Sequence, residues 1–177
     1  MIPSFRFEIE PVLPFRLDFT VWALRRRPDN IIDRWNGETY RRGLVIQGIP
    51  MEIAVTQPDK SDTTLYIFVN GANKTERLKL TLISIIEKML GTQINCTNFY
   101  TIAIRDEKLK FLSNRFMGLK PPRFPTVFEA LVNAIACQQL SLDFGITLHN
   151  RLTNAIGREL ALTKGKANAF PSPYELR

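Results

Sequence analysis

Apolar and polar side chains alternate from the start of the chain. Phe5, Phe7 and Ile9 recur every second residue, which predicts a strand over residues 4–10. Between Pro14 and Leu24 the positions of Phe15, Leu17, Phe19, Val21, Trp22 and Leu24 fit either period. A short helix is the better reading, because Arg25-Arg26-Arg27 runs into Pro28 and proline disfavours helix before it. Strand patterns return over 31–35, 39–47, 51–57 and 64–69, separated by turn chemistry. Asn36-Gly37 predicts a type I′ hairpin, Pro58 to Asp62 a loop, and Asn70-Gly71 a stop. Together these elements describe a curved antiparallel meander with one face covered by helices.

Beyond residue 75 the apolar period becomes helical. Leu78, Leu82, Ile85, Ile86, Met89 and Leu90 predict a helix over 75–90, capped by Asn73 with Glu76 and ended at Gly91. Shorter helices follow over 96–104 and 107–116, and then a proline-rich loop over 118–125. Thr126 and Glu129 form a capping box for a helix bearing Phe128, Leu131, Val132 and Ile135. Ser141 caps the next, whose Phe144, Leu148 and Leu152 lie four apart, with Gly157 closing it. Strands first and helices afterwards give an α+β fold. It consists of an N-terminal antiparallel sheet with two helices, followed by the first helices of an all-α domain. The boundary falls between about Gly91 and Thr97, dividing the chain into 1–93 and an incomplete helical part, 94–177.

Composition narrows the class. With 177 residues, 45% hydrophobic and twelve of them Phe, the chain can bury a core and is not disordered. Its longest apolar runs fall short of the roughly 18 residues of a membrane span, and its N-terminal alternation is not that of a signal peptide. Cys96 and Cys137 show no pairing or metal spacing, which fits a reducing cytoplasm, and a single His149 argues against a zinc site. The formal charge is +7, and most of it lies after Ile104, where 11 basic residues accompany 6 acidic ones. That surplus suits a surface meeting phosphates, although many soluble proteins share a pI near 9.7 without touching nucleic acid.

The run from Gly118 through Leu-Lys-Pro-Pro-Arg-Phe-Pro-Thr-Val-Phe-Glu-Ala-Leu-Val-Asn-Ala-Ile-Ala-Cys-Gln-Gln-Leu to Ser141 resembles the opening of the catalytic domain of helix-hairpin-helix DNA glycosylases, the 3-methyladenine DNA glycosylase II type in particular. Pro11 to Leu24 and Asn30 to Gly43 are similar to that group's first strand and helix, and Phe170-Pro-Ser-Pro173 to its F-P-[ST]-P segment. The matches keep the family's order along nearly the whole chain. The resemblance implies base excision repair: a damaged nucleotide is turned out of double-stranded DNA and its alkylated base hydrolysed off the sugar, without metal or cofactor. The family's Gly-rich hairpin motif and the catalytic aspartate that follows it do not occur in these residues. The resemblance therefore assigns no catalytic residue here and implies an inactive N-terminal portion.

It also implies roles for particular side chains. Gln138 matches a recurrent family glutamine, and Gln139 the side chain that plugs the gap left by the extruded base; both are alternatively plain helix-end amides capping backbone. Trp22 lies on the helix that lends an aromatic wall to the base pocket, or else packs in the core against the sheet. Lys120 and Arg123 flank the proline loop near the proposed DNA face and are candidates for phosphate contact. Arg25, Arg26 and Arg27 read as a solvated loop, His149 as a helix-surface or packing residue, and Cys137 as a small buried hydrophobe. The expected partners are duplex DNA with alkylated bases and either the remaining part of the enzyme or a second copy, docked on helices left without packing partners. The alternative is a non-catalytic DNA-binding or assembly module. A basic module binding RNA is disfavoured by the lack of an RNA-recognition aromatic motif.

Overall fold

A computed structural model of the chain describes residues 2–60, 62–162 and 165–176. The period-2 segments pair as foreseen. Strands β2 (Arg34–Trp35), β3 (Thr39–Ile46), β4 (Ile49–Thr56) and β5 (Leu65–Asn70) form an antiparallel meander, and β1 (Ser4–Ile9) adds to its far edge beside β5. Phe7 opposite Ile67 and Val55 opposite Ile67 fix the register that puts one apolar face inward. Against that face pack α1 (Leu17–Arg25), through Leu17, Val21 and Leu24, and α2 (Glu76–Leu90), through Leu78, Leu82, Ile86 and Met89.

The turns differ in detail from the sequence reading. Asn36-Gly37 does not make a two-residue hairpin: the Asn36 side chain accepts from the Glu38 and Thr39 amides at 3.0 and 2.7 Å in a wider loop. The two-residue turn lies between β3 and β4, where Gln47 and Gly48 both take positive φ, at 54° and 80°. The cap of α2 is Thr75 rather than Asn73, its side chain accepting from the Leu78 amide at 3.1 Å.

The helical half follows as α3 (Thr97–Ala103), α4 (Glu107–Arg115), α5 (Val127–Ala136) and α6 (Leu142–Ile156). Two short strands, β6 (Arg158–Glu159) and β7 (Asn168–Ala169), then bring the chain back across β3 and β4. No periodicity announces strands of two residues. What makes room for them is Gly43, where a Cβ would stand 2.8 Å from Leu160 Cδ1 and 2.9 Å from the Ala169 Cα. Gly43→Val is expected to unseat this return crossing and to cost about 1–3 kcal/mol of stability. Urea unfolding checks it; an unchanged midpoint would mean that the crossing is not seated on β3.

Candidate nucleic-acid interface

Helices α5 and α6 meet at the turn Cys137-Gln138-Gln139-Leu140. Each helix begins where its sequence offers a cap: Thr126 Oγ1 accepts from the Glu129 amide at 3.1 Å, and Ser141 Oγ from the Phe144 amide at 3.2 Å. Both glutamines are exposed, and Gln139 takes a left-handed backbone, φ 56°. Among the described residues neither side-chain amide has a protein partner, so they do not serve as backbone caps.

The capping box at Thr126 is only half made. Glu129 turns away from the helix start and inward, where its carboxylate receives Arg42. Arg42 is fully buried on β3 and donates its other terminal nitrogen to Asp33 Oδ1 at 2.6 Å. The Tyr40 hydroxyl donates to the same oxygen at 2.6 Å, and the Asn30 side chain holds the Ile32 and Asp33 amides at 2.9 and 3.1 Å. Burial raises the Glu129 pKa against the opposing pull of Arg42, while the Arg42 guanidinium is held charged by the two carboxylates despite its burial. A guanidinium shared between the sheet and α5 thus joins the two halves of the chain. The sequence reading missed it.

The arginine run after α1 is not a solvated loop. Arg26 donates to Asn133 Oδ1 on α5 at 2.8 Å, and Arg27 pairs with Asp143 in the first turn of α6 at 2.6 Å. Asn150 of α6 adds two bonds to the same loop, at the Ile31 amide and the Asp29 carbonyl. The glutamine turn is therefore flanked on both sides by arginine ties to the N-terminal half.

The other candidates separate. Arg123 is exposed, its backbone amide donating to Met89 at 2.9 Å. Lys120 is not available to a phosphate. It is fully buried, and its ammonium donates to the Ile94 carbonyl at 2.6 Å, with desolvation lowering its pKa. Trp22 is 68% exposed, which rules out the core reading, since α1 faces the sheet through other positions. It borders a recess of about 320 Å³ with Asp18, Phe19, Arg25, Trp35 and Phe116, at the lower end of the roughly 300–1,000 Å³ of small-molecule sites. Asp18 there accepts from two guanidinium nitrogens of Arg16, Nε at 2.9 Å and Nη2 at 2.7 Å, and its pKa is lowered: partial desolvation alone would raise it, and this pairing outweighs that.

The apolar stripe of α5 faces outward. Leu131 is 57% and Ile135 68% exposed, and Phe144 on α6 is exposed as well. Phe128 and Leu148 are half-buried, Phe128 lying 6.3 Å from the ring of Phe170. The inner face of α6 instead carries Gly145, Ile146, His149 and Thr153. Cys137 is half-buried rather than enclosed.

An antiparallel sheet covered by two helices and continued by a series of helices is an arrangement this chain shares with solved DNA glycosylase structures. The chain superimposes on the 3-methyladenine DNA-glycosylase from Archaeoglobus fulgidus with a TM-score of 0.81 at 23% identity, over 96% of its own length and 57% of that protein. It superimposes on the Clostridium acetobutylicum 8-oxoguanine glycosylase/lyase in its apo-form with a TM-score of 0.65 at 16% identity, over 99% of this chain and 56% of that one. In sequence it is 30% identical over 109 residues to the DNA-3-methyladenine glycosylase of Bacillus subtilis (strain 168), a match covering 61% of this chain and 36% of that relative. No family model matches. These relatives agree with the DNA-glycosylase resemblance read from the sequence, and the chain spans little more than half of the solved structures whose fold it shares and about a third of the curated relative. No helix of the described residues is long and apolar enough to cross a membrane.

His149, the one histidine of the chain, supplies a pH test. Burial holds its pKa below the ordinary value of 6.5, and Arg26 and Arg42 push the same way, against the Val132 backbone and Asp33. The unfolded chain accepts a proton that the folded chain refuses, so stability is full above about pH 6.5 and is lost as pH falls toward the folded value. Glu129 opposes this loss, because its raised pKa makes the folded chain the better proton acceptor there. Urea unfolding is expected to weaken by at most about 1.4 kcal/mol between pH 6.5 and 5.5, and His149→Phe to abolish that part of the loss. An equal acid loss in the variant would place the titration elsewhere.

Proposed function

We propose that the chain is the N-terminal part of a cytoplasmic base-excision-repair DNA glycosylase that removes alkylated purines of the 3-methyladenine type from double-stranded DNA. Residues 1–93 form its α+β domain and 94–177 the leading helices of its glycosylase domain. The exposed, unpartnered Gln138-Gln139 pair carries the reading. Extruding a base costs a few kcal/mol of stacking, and a side chain that fills the gap holds the opened state. Gln139 fills that gap, Gln138 borders it, and Arg123 meets a phosphate. Trp22 walls the base recess, where stacking on a cationic alkylated base contributes about 1–2 kcal/mol once desolvated.

Breaking the N-glycosidic bond builds positive charge on the sugar and needs an anion beside it in a dry site. The buried carboxylates of this chain do not meet that need. Asp33 and Glu129 are committed to Arg42 and Glu52 to Arg34 and Arg41, and Glu129 borders a cavity of only about 120 Å³. Asp18, in the Trp22 recess, is committed to Arg16. No residue here is assigned to catalysis, and the 177-residue chain alone is expected to release no 3-methyladenine above a heat-killed control. A second reading, an assembly module, is favoured by the outward stripe of Val127, Leu131 and Ile135, which a further polypeptide or a second copy would cover.

Fluorescence anisotropy with an alkylated duplex tests the proposal. Replacing Gln138 and Gln139 by alanine is expected to weaken binding about tenfold without changing its salt dependence. Arg123→Ala is expected to reduce the salt slope by about one. Wild-type affinity in the double variant would refute the DNA role of the turn.

A further inference from the structure

We propose that Arg42 and Arg26 are positioning residues for the Gln138-Gln139 turn, acting through a polar stripe on α5 formed by Glu129 and Asn133. This deepens the DNA-binding reading above and rests on it. Glu129 and Asn133 are four residues apart, so they lie one above the other on a single helix face. Each is gripped by an arginine of the N-terminal half: Glu129 by Arg42 from the sheet, Asn133 by Arg26 from the end of α1. Cys137, four residues further, continues the stripe to the turn, its thiol 3.8 Å from Asn133 Oδ1.

Apolar packing holds this helix only in part: of its large apolar side chains, Phe128, 6.3 Å from the Phe170 ring, and Val132 are half-buried. The stripe of Val127, Leu131 and Ile135 points to solvent. Directional bonds therefore help decide how α5 is rotated, and Arg42 is well suited to the task. It has no access to water, and Asp33, braced by Tyr40 and Asn30, fixes the guanidinium from behind. From Glu129 the helix continues seven residues to Ala136, about 10 Å along the axis at 1.5 Å per residue, and the glutamines follow it directly. A tilt of about 10° at Glu129 would move the glutamines by about 2 Å, enough to lift a plugging side chain out of a base-sized gap.

The test uses the whole chain and two duplexes, one intact and one carrying a single abasic site. Wild type is expected to prefer the abasic duplex, and Glu129→Gln, which keeps the shape and an acceptor for Arg42, to hold that preference within about twofold. Glu129→Ala is expected to lose it about tenfold. In the same variant, the backbone amide resonance of Gln139 should shift while those of β3 to β5 stay in place. Should Glu129→Ala not fold, Asn133→Ala takes its place, with a loss of about threefold and the same shift. An unmoved Gln139 resonance, or unchanged preference in a folded variant, overturns the positioning role. Absence of any abasic preference in wild type, with the resonance still shifting on Glu129→Ala, overturns the DNA reading and leaves the positioning of the turn intact.

Discussion

An arginine without access to water must give its charge to neighbours, and Arg42 gives it to two carboxylates from distant parts of the chain. Asp33 belongs to the N-terminal half and Glu129 to the fifth helix. Replacing such a centre with apolar groups is often neutral for stability, whereas removing one partner costs about 3–5 kcal/mol because a charge is left buried and alone. Its value here is direction. Hydrophobic contacts tolerate sliding and rotation; a guanidinium between two carboxylates does not.

The rest of the interface is consistent with that division of labour. The sheet and its two covering helices close on an apolar core, and orientation there is set by register and burial. The join to α5 and α6 adds directional polar ties to the burial of Phe128 and Ile146: Arg42 with Glu129, Arg26 with Asn133, Arg27 with Asp143, and Asn150 with the Asp29–Ile31 backbone. Those ties leave the Val127, Leu131 and Ile135 stripe of α5 outward and, among the described residues, the Gln138 and Gln139 side-chain amides without a protein partner. The aromatic recess at Trp22 stands on the helix that ends in these arginines, so α1 contributes both to the recess and to the clamp.

Much of this was legible from periodicity. The sheet, the long second helix and the Thr126 and Ser141 caps follow from alternation and cap chemistry, while the strand expected over 31–35 is confined to Arg34–Trp35. Period two also contains the signal for Arg42: Tyr40, Arg42, Leu44 and Ile46 share one phase, so an arginine sits on the core side of β3. That phase implies a buried charge and a partner, but only the tertiary fold supplies Glu129 from 87 residues away. Helix α5 misled for a related reason. An apolar stripe ordinarily marks the inward face, and here the inward face carries a carboxylate because a buried cation waits for it. Lys120 and the Arg25–Arg27 run show the same limit, since a charge in sequence does not reveal whether it faces water or a carbonyl. At the turns, Asn36-Gly37 had the better hairpin dipeptide, yet the tight turn formed at Gln47-Gly48, where strand register demanded it.

The most direct measurement is amide hydrogen exchange on the intact chain and on Arg42→Met. If the buried guanidinium orients the helical half, protection is expected to collapse across α5 and α6 while the β3 to β5 amides exchange as slowly as before. Equal protection of α5 and α6 in both proteins would contradict that role for Arg42.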